Sequence, residues 1–94
     1  MYHYNYVTEN TCSQLISLDL DGDVVRNIRF IGGCNGNLQG ISRLVEGMTV
    51  DAVEEKLTGI LCGRKPTSCP DQLARAVRKA YEAQKNGVVQ EAAD

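Results

Sequence analysis

The fold is decided at residues 24–45, VVRNIRFIGGCNGNLQGISRLV, where the spacing of the apolar residues changes. Up to Ile31 the segment has the composition and the period of a β-strand. The Gly32-Gly33 pair interrupts that period. Beyond it, the apolar residues recur at helical spacing and share one face: Leu38, Ile41, Leu44 and Val45. The change predicts a strand that ends near Ile31 and a helix that follows the two glycines.

Two further strands are predicted upstream of this point. Tyr2, Tyr4 and Tyr6 alternate with polar residues, and residues 13–20 alternate in the same way. Asp21-Gly22 follows, a strong hairpin signal. We therefore predict strands over residues 2–8, 13–20 and 24–31 that form a three-stranded antiparallel meander. If Leu20 pairs with Asp23 across the turn, the register places Cys12 opposite Ile31.

Three helices are predicted after the strands, over residues 37–46, 50–61 and 70–86. Thr49 can cap the second helix, whose apolar stripe ends at Ile60 and Leu61. Ser68 and Asp71 have the spacing of a capping box at the start of the third helix. Strands followed by helices predict a two-layer α+β domain. We expect a single domain over residues 1–87 and a flexible tail over residues 88–94.

Composition limits the compartment and the partners. The chain has 94 residues and a net charge of −2, which gives no global reason to bind nucleic acid. No stretch approaches the roughly 20 apolar residues of a membrane span. The first residues have neither a basic start nor an apolar run, so we expect a cytoplasmic protein without a signal peptide. The composition is compatible with a homo-oligomer.

Basic residues are concentrated in the last third of the chain, where six of the ten Lys and Arg lie between Arg64 and Lys85. This distribution has two interpretations. It is either a solvated helix face or a surface for an anionic partner. In the second interpretation the partner surface consists of Arg64, Lys65, Arg75, Arg78 and Lys79.

The four cysteines, Cys12, Cys34, Cys62 and Cys69, are the principal candidates for chemistry. All four lie at predicted element boundaries, whereas a buried structural cysteine is expected within an apolar stripe. The hairpin register brings Cys12 near Cys34, and a short loop separates Cys62 from Cys69. Cys34 and Cys69 also precede or begin helices, where exposed N–H groups stabilise a thiolate.

A glycine-rich segment with a helix start is the second candidate site. Glycines allow backbone N–H groups to approach a ligand, and a helix N-terminus favours an anion. The predicted anion-binding residues are Gly32, Gly33, Asn35, Gly36, Asn37 and Ser68. A tight connection without a ligand is the simpler interpretation. The single histidine, His3, is expected to be exposed and without a role.

The sequence resembles a known family at several of these segments. Thr67-Ser68-Cys69-Pro70-Asp71 spells the TSCPD signature. The two segments before it, Gly32–Asn37 and Leu57–Gly63, occur in the same order as in that domain. The resemblance is to a small, stand-alone branch with four cysteines. Better-known members are domains near the C-terminus of cobalamin-dependent ribonucleotide reductases. The resemblance implies a link to deoxynucleotide synthesis and a reductase subunit or a nucleotide as partner.

Three functions remain open. The first is an accessory module, in which the four cysteines hold zinc, or less favourably an iron–sulfur cluster, and the glycine-rich segment binds an anion. The second is a redox component, in which Cys62 and Cys69 cycle between dithiol and disulfide. The third is a structural adaptor with reduced cysteines. Ninety-four residues do not provide the large barrel that a complete ribonucleotide reductase requires.

Overall fold

The structure is a computed structural model that describes residues 1–8, 14–32, 35–61 and 67–87, and the side chains of all of these except 35–37. Within these residues three strands precede three helices, which confirms the α+β order. The elements are β1 (Tyr2–Val7), β2 (Leu15–Asp21), β3 (Val24–Ile31), α1 (Asn35–Val45), α2 (Val50–Leu57) and α3 (Cys69–Lys85). The predicted tail, residues 88–94, lies outside this description.

The strands form one antiparallel sheet in the order β1-β2-β3, as predicted. The predicted register of the β2–β3 hairpin is wrong. Asp21 pairs with Val24, so the two turn residues are Gly22 and Asp23. Gly22 has φ 63°, a conformation that glycine adopts readily and other residues rarely do.

A second irregularity moves the register further from the predicted one. The pairing shifts between Ser17 and Asp19, opposite Asn27, which has φ 54°. Asparagine tolerates this left-handed conformation, and one extra residue on β3 makes a β-bulge. As a result Ile31 lies opposite Leu15, and the predicted pairing of Ile31 with Cys12 is wrong.

The core lies on the face of the sheet that the helices cover. Strand β2 contributes three side chains with no exposed surface, Ile16, Leu18 and Leu20, so its predicted alternation is confirmed. The helices add Val45, Val50, Val53, Leu73, Ala76, Val77 and Ala80. Burial of a Leu or Val side chain stabilises the fold by about 1.5–3 kcal/mol. Small residues at positions 76 and 80 allow α3 to lie close to the sheet.

Two of the predicted helix stripes are narrower in the structure. Helix α2 begins with the predicted cap, since Thr49 Oγ1 accepts from the Ala52 N–H at 3.2 Å. It ends at Leu57, before Gly59 with φ 86°, so Ile60 and Leu61 lie beyond it and are exposed. Leu44 of α1 is also exposed, because α1 packs mainly against the edge strand β3 and buries only one side.

Hydrogen bonds fix the direction of each helix along the sheet. At the hairpin end, which we call the turn end, Gly47 N–H donates to Val25 C=O at 2.9 Å just after α1. Val50 N–H donates to Asp23 C=O at 2.8 Å, so α2 begins there. Gln84 Nε2 donates to Gly22 C=O at 2.8 Å, so the last turn of α3 lies there too.

The strand ends opposite the hairpin turn, which we call the far end, are defined by Thr8, Gln14 and Ile31. Thr8 N–H donates to Gln14 C=O at 3.3 Å, and Gln14 N–H donates to Ile31 C=O at 2.7 Å. Helix α1 starts just after β3 reaches this end. Helix α3 has 17 residues, about 25 Å at 1.5 Å per residue, so its first residue lies toward the far end.

Candidate functional site

The TSCPD segment begins α3 and caps it. Ser68 is the N-cap: its Oγ accepts from the Asp71 N–H at 3.2 Å and donates to the C=O of Ile60. Pro70 lies in the first turn, where its missing N–H costs nothing. The Ser68 part of the predicted capping box is confirmed. The carboxylate of Asp71, however, contacts other groups.

Asp71 connects the start of α3 to the preceding loop. Its side chain is 2% exposed and accepts from the Gly59 N–H at 2.8 Å and from the Thr67 hydroxyl. Arg75 lies 3.2 Å away, one helical turn further on. Burial alone would raise the pKa of Asp71, but these hydrogen bonds and the Arg75 charge outweigh it, and the pKa is lowered.

Two further polar residues complete this buried cluster. Thr67 and Gln72 are 3% and 2% exposed, and Gln72 Nε2 donates to Thr67 Oγ1 at 3.0 Å. Hydrogen bonds between buried polar groups remove the cost of their desolvation. The sequence patterns predicted no role for Thr67 or Gln72. The signal that contained Thr67 was the TSCPD signature, whose polar residues hold the loop against the helix.

Cys69 is the one predicted metal ligand within the described residues. It is 7% exposed and is the first residue of α3. Cys12, Cys34 and Cys62 lie outside the described residues, so the convergence of the four sulfurs stays a prediction. Within residues 1–8, 14–32, 35–61 and 67–87, no three His, Cys, Asp or Glu side chains form a metal-binding group.

Residues that lie close to the cysteines in the sequence are nevertheless joined by hydrogen bonds, one for each pair of cysteines. Gln14, two residues after Cys12, donates to Ile31, three residues before Cys34. Ser68, immediately before Cys69, donates to Ile60, two residues before Cys62. The first pair defines the far end. The second lies at the start of α3, which is directed toward the same end.

The glycine-rich segment is described only in part. Gly32 has φ 78°, and a Cβ there would lie 3.1 Å from Cγ of Gln14, so a larger residue would be strained as well as crowded. Residues 35–37 form the first turn of α1, while Gly33 and Cys34 lie outside the described residues. Anion binding at this segment stays a prediction. The sixth member of the predicted set, Ser68, already uses its hydroxyl in two hydrogen bonds within the domain.

Three residues of the predicted partner surface already contact other side chains of the same domain. Arg78 contacts Glu54 and Asp51, each at 2.5 Å, and these carboxylates raise its pKa. The Lys79 ammonium lies 5.8 Å from the centre of the Tyr6 ring, and Arg75 pairs with Asp71. Arg64 and Lys65 lie outside the described residues. Binding of an anionic partner by this set stays a prediction.

His3, which was expected to be exposed and without a role, has a side chain that is 39% exposed and has hydrogen-bonding partners on the sheet surface. Its Nδ1 lies 2.7 Å from Asp19 Oδ1, and Asn27 Nδ2 donates to Asp19 Oδ2 at 2.9 Å. Burial alone would raise the pKa of Asp19, but the hydrogen bonds from Asn27 and His3 lower it. The pairing follows from the β1–β2 register, in which His3 lies opposite Asp19.

Comparison with known proteins gives one match. The model of a family described as the TSCPD domain matches residues 2–81, most of this chain. The TSCPD domain is known from ribonucleotide reductases. No curated protein and no solved structure matches significantly. Among the described residues, none of the helices has the length and apolar composition that crossing a membrane requires.

Proposed function

Because this chain belongs to the TSCPD-domain family, we propose that it is an accessory module related to ribonucleotide reductase with one structural metal centre. The ligands are the four thiolates of Cys12, Cys34, Cys62 and Cys69, and zinc is the foremost candidate. The module does not catalyse ribonucleotide reduction by itself. Its partner is a reductase subunit in the cytosol.

The observation that carries this proposal is the paired hydrogen bonding beside the cysteines. Gln14 and Ile31 are joined at the far end, and α3 begins on that side of the domain with Cys69. The Ser68–Ile60 hydrogen bond ties the residue before Cys69 to a residue two positions before Cys62. Each cysteine is therefore at most three residues from a hydrogen-bonded residue in this region. Chain connectivity alone allows the four sulfurs to meet there.

The chemistry of the ligand set favours a closed site. Four thiolates at about 2.3 Å satisfy tetrahedral zinc and leave no position for substrate, which is the arrangement of a structural metal. Cys69 is the first residue of α3 and is largely buried, as a ligand in a closed site would be. A chain of this size buries little apolar surface, so metal binding would add stability that the core lacks.

The glycine-rich segment provides the second part of the proposed module. Gly32, Gly33, Asn35, Gly36 and Asn37 would bind an anion such as a nucleotide beside the N-terminus of α1. The supporting observation is that Gly32 has positive φ next to this helix start. Ser68, the sixth residue of the predicted set, would contribute only if it gave up its capping bond.

The test is metal analysis of protein purified without chelator, together with a count of reactive thiols. We expect one zinc per chain and slow thiol modification that accelerates when a chelator removes the metal. Cys69→Ser and Cys12→Ser should each abolish stoichiometric zinc binding. Ser42→Ala is the matched control, because Ser42 lies on α1 and, among the described residues, its hydroxyl donates to Leu38 C=O alone. It should retain the metal.

A redox component is the second candidate, favoured by the hydrogen bond that ties Ser68 to Ile60. In this function the Cys62 and Cys69 thiols form a disulfide, release two protons and transfer two electrons to an oxidised reductase. Metal-free protein that loses two thiols on mild oxidation would favour this function over the metal centre. Metal-free protein with four slowly reacting thiols would favour the third candidate function, a structural adaptor with reduced cysteines.

A further inference from the structure

A cavity of about 410 Å³ lies between the outer edge of β3 and helix α1. Its walls are the last four residues of β3 and one face of α1. The volume falls in the range of small-molecule sites, which is roughly 300–1,000 Å³. Among the described members of the cysteine set and of the predicted anion-binding set, Cys69, Gly32 and Ser68 do not line it.

Two arginines in this cavity differ from the other arginines that the structure describes. Arg26, Arg75 and Arg78 each pair with a carboxylate. Arg29 and Arg43 both line the cavity, and neither forms an ion pair within the described residues. Two arginines from different elements therefore line one concave site, and among the described residues neither has a carboxylate partner.

The rest of the lining is largely apolar. Ile28 and Leu38 are 7% and 6% exposed, and Phe30 packs partly against the core. Gln39 and Ser42 add two polar side chains on the helix side, and the Ser42 hydroxyl donates to Leu38 C=O. A ligand that fits this lining combines an apolar or aromatic body with a charged group directed at the arginines.

The backbone of β3 offers a further donor. Ile31 C=O accepts from Gln14 on the side of β2. Successive residues of an antiparallel strand direct their backbone groups to opposite edges. The N–H of Phe30, which pairs with Ile16 one position earlier, therefore faces the outer edge of the sheet, where the cavity lies.

We propose that this cavity binds a small organic phosphate, with Arg29 and Arg43 holding the phosphate and Phe30 contacting a flat apolar group. Two positive charges match a dianionic phosphate better than a monoanionic carboxylate, and guanidinium groups bind phosphate oxygens in a bidentate manner. The site goes beyond the proposed function, since it needs neither the cysteines nor the glycine-rich segment. Nucleotides and simple aryl phosphates share this chemistry.

The test is a titration of the ¹⁵N-labelled chain, followed by NMR, with deoxyadenosine monophosphate and, separately, with phenyl phosphate. We expect saturable shifts of the amide signals of residues 28–31 and 38–43 with at least one of the two. Deoxyadenosine without phosphate and inorganic phosphate without a ring should each bind at least tenfold more weakly. Binding of phenyl phosphate alone would identify an aryl phosphate site and exclude nucleotides.

Substitutions separate this site from other basic surfaces. Arg29→Gln and Arg43→Gln should each raise Kd at least tenfold, and the spectra report whether each variant is folded. Lys56→Gln is the control, because Lys56 is an exposed cation on α2 and does not line the cavity. Its Kd should stay within twofold of the wild-type value.

Three results would overturn the proposal. They are unchanged affinity in both arginine variants, inorganic phosphate binding as tightly as the two organic phosphates, and no saturable shifts at millimolar concentrations of either organic phosphate. Zinc content is measured on the same samples. It reports on the cysteine centre alone, so failure of one proposal can be distinguished from failure of the other.

Discussion

The backbone N–H of Gly59 donates to the carboxylate of Asp71 at 2.8 Å, which joins the loop after α2 to the first turn of α3. The same carboxylate accepts from Thr67, so one side chain holds both ends of the loop that contains Cys62. The segment that contains Cys62 is therefore bounded on both sides by residues that donate to one buried carboxylate.

Asp71→Asn should lower the free energy of unfolding by about 1–3 kcal/mol. The amide has nearly the same shape, but it lacks the charge that strengthens the bonds from Gly59, Thr67 and Arg75. Urea denaturation measures the change. Asp51→Asn is the control for an exposed acid in the first turn of a helix, since the Asp51 side chain is 86% exposed and solvent weakens its ion pair with Arg78. A loss in Asp71→Asn no larger than in the control would contradict the role of the buried carboxylate.

Stability should fall with decreasing pH partly because of Asp71. Its pKa is lower in the folded protein than the ordinary Asp value of about 3.9, so its charge stabilises the fold above that value. This contribution is lost as the pH falls through the folded pKa. The urea midpoints of wild type and Asp71→Asn should therefore converge as the pH is lowered from 6 to below the ordinary Asp value. A constant difference over this range would mean that the ionised carboxylate contributes nothing. The stability of the Asp71→Asn variant should still depend on pH, but less strongly than that of wild type, because the pKa of Asp19 is also lowered.

Two glycine substitutions should have opposite effects. Gly59 has φ 86°, and an alanine Cβ there meets no atom within 4 Å, so Gly59→Ala tests backbone strain alone. It should destabilise the domain by about 1–2 kcal/mol. Gly40 lies within α1 with ordinary φ and equally open surroundings, so Gly40→Ala should stabilise it by up to about 1 kcal/mol. Thermal unfolding measures the stability change of each variant. Stability changes of the same sign in both variants would contradict the backbone conformations assigned to the two glycines.

Arg78 should contribute to stability as well as to surface charge. Its guanidinium contacts Glu54 and Asp51 across α2 and α3 and lies 5.7 Å from the centre of the Tyr81 ring. Because the pair is about one third exposed, we expect Arg78→Gln to cost only about 1 kcal/mol. A double-mutant cycle with Glu54→Gln measures the coupling, and additive effects would show that the pair contributes nothing. Because a change at Arg78 would alter stability as well as surface charge, Lys79→Gln is the better test of the predicted partner surface.

Local sequence patterns were sufficient to predict most of the secondary structure of this domain. The period change at Gly32-Gly33, the alternation of Ile16, Leu18 and Leu20, and the cap at Ser68 predicted the elements and their order correctly, because each depends on neighbours within a few residues. The TSCPD signature predicted the family for the same reason. Where a property depended on pairing between segments, prediction was less successful.

The register of the β2–β3 hairpin is the clearest case of that limit. The left-handed Asn27 adds a residue to β3, and the Glu46 carboxylate that accepts its N–H lies nineteen residues away. No local pattern reveals such a contact. The partners of His3 and Arg78 and the cavity bordered by Arg29 and Arg43 were hidden in the same way, since each brings together elements that are distant in sequence. By itself the sequence determined which elements form and in what order, because these follow from local sterics and apolar spacing. Only the tertiary structure decided which charged side chains are neutralised within the domain and which remain available, because that depends on distances between elements that the chain brings together by folding.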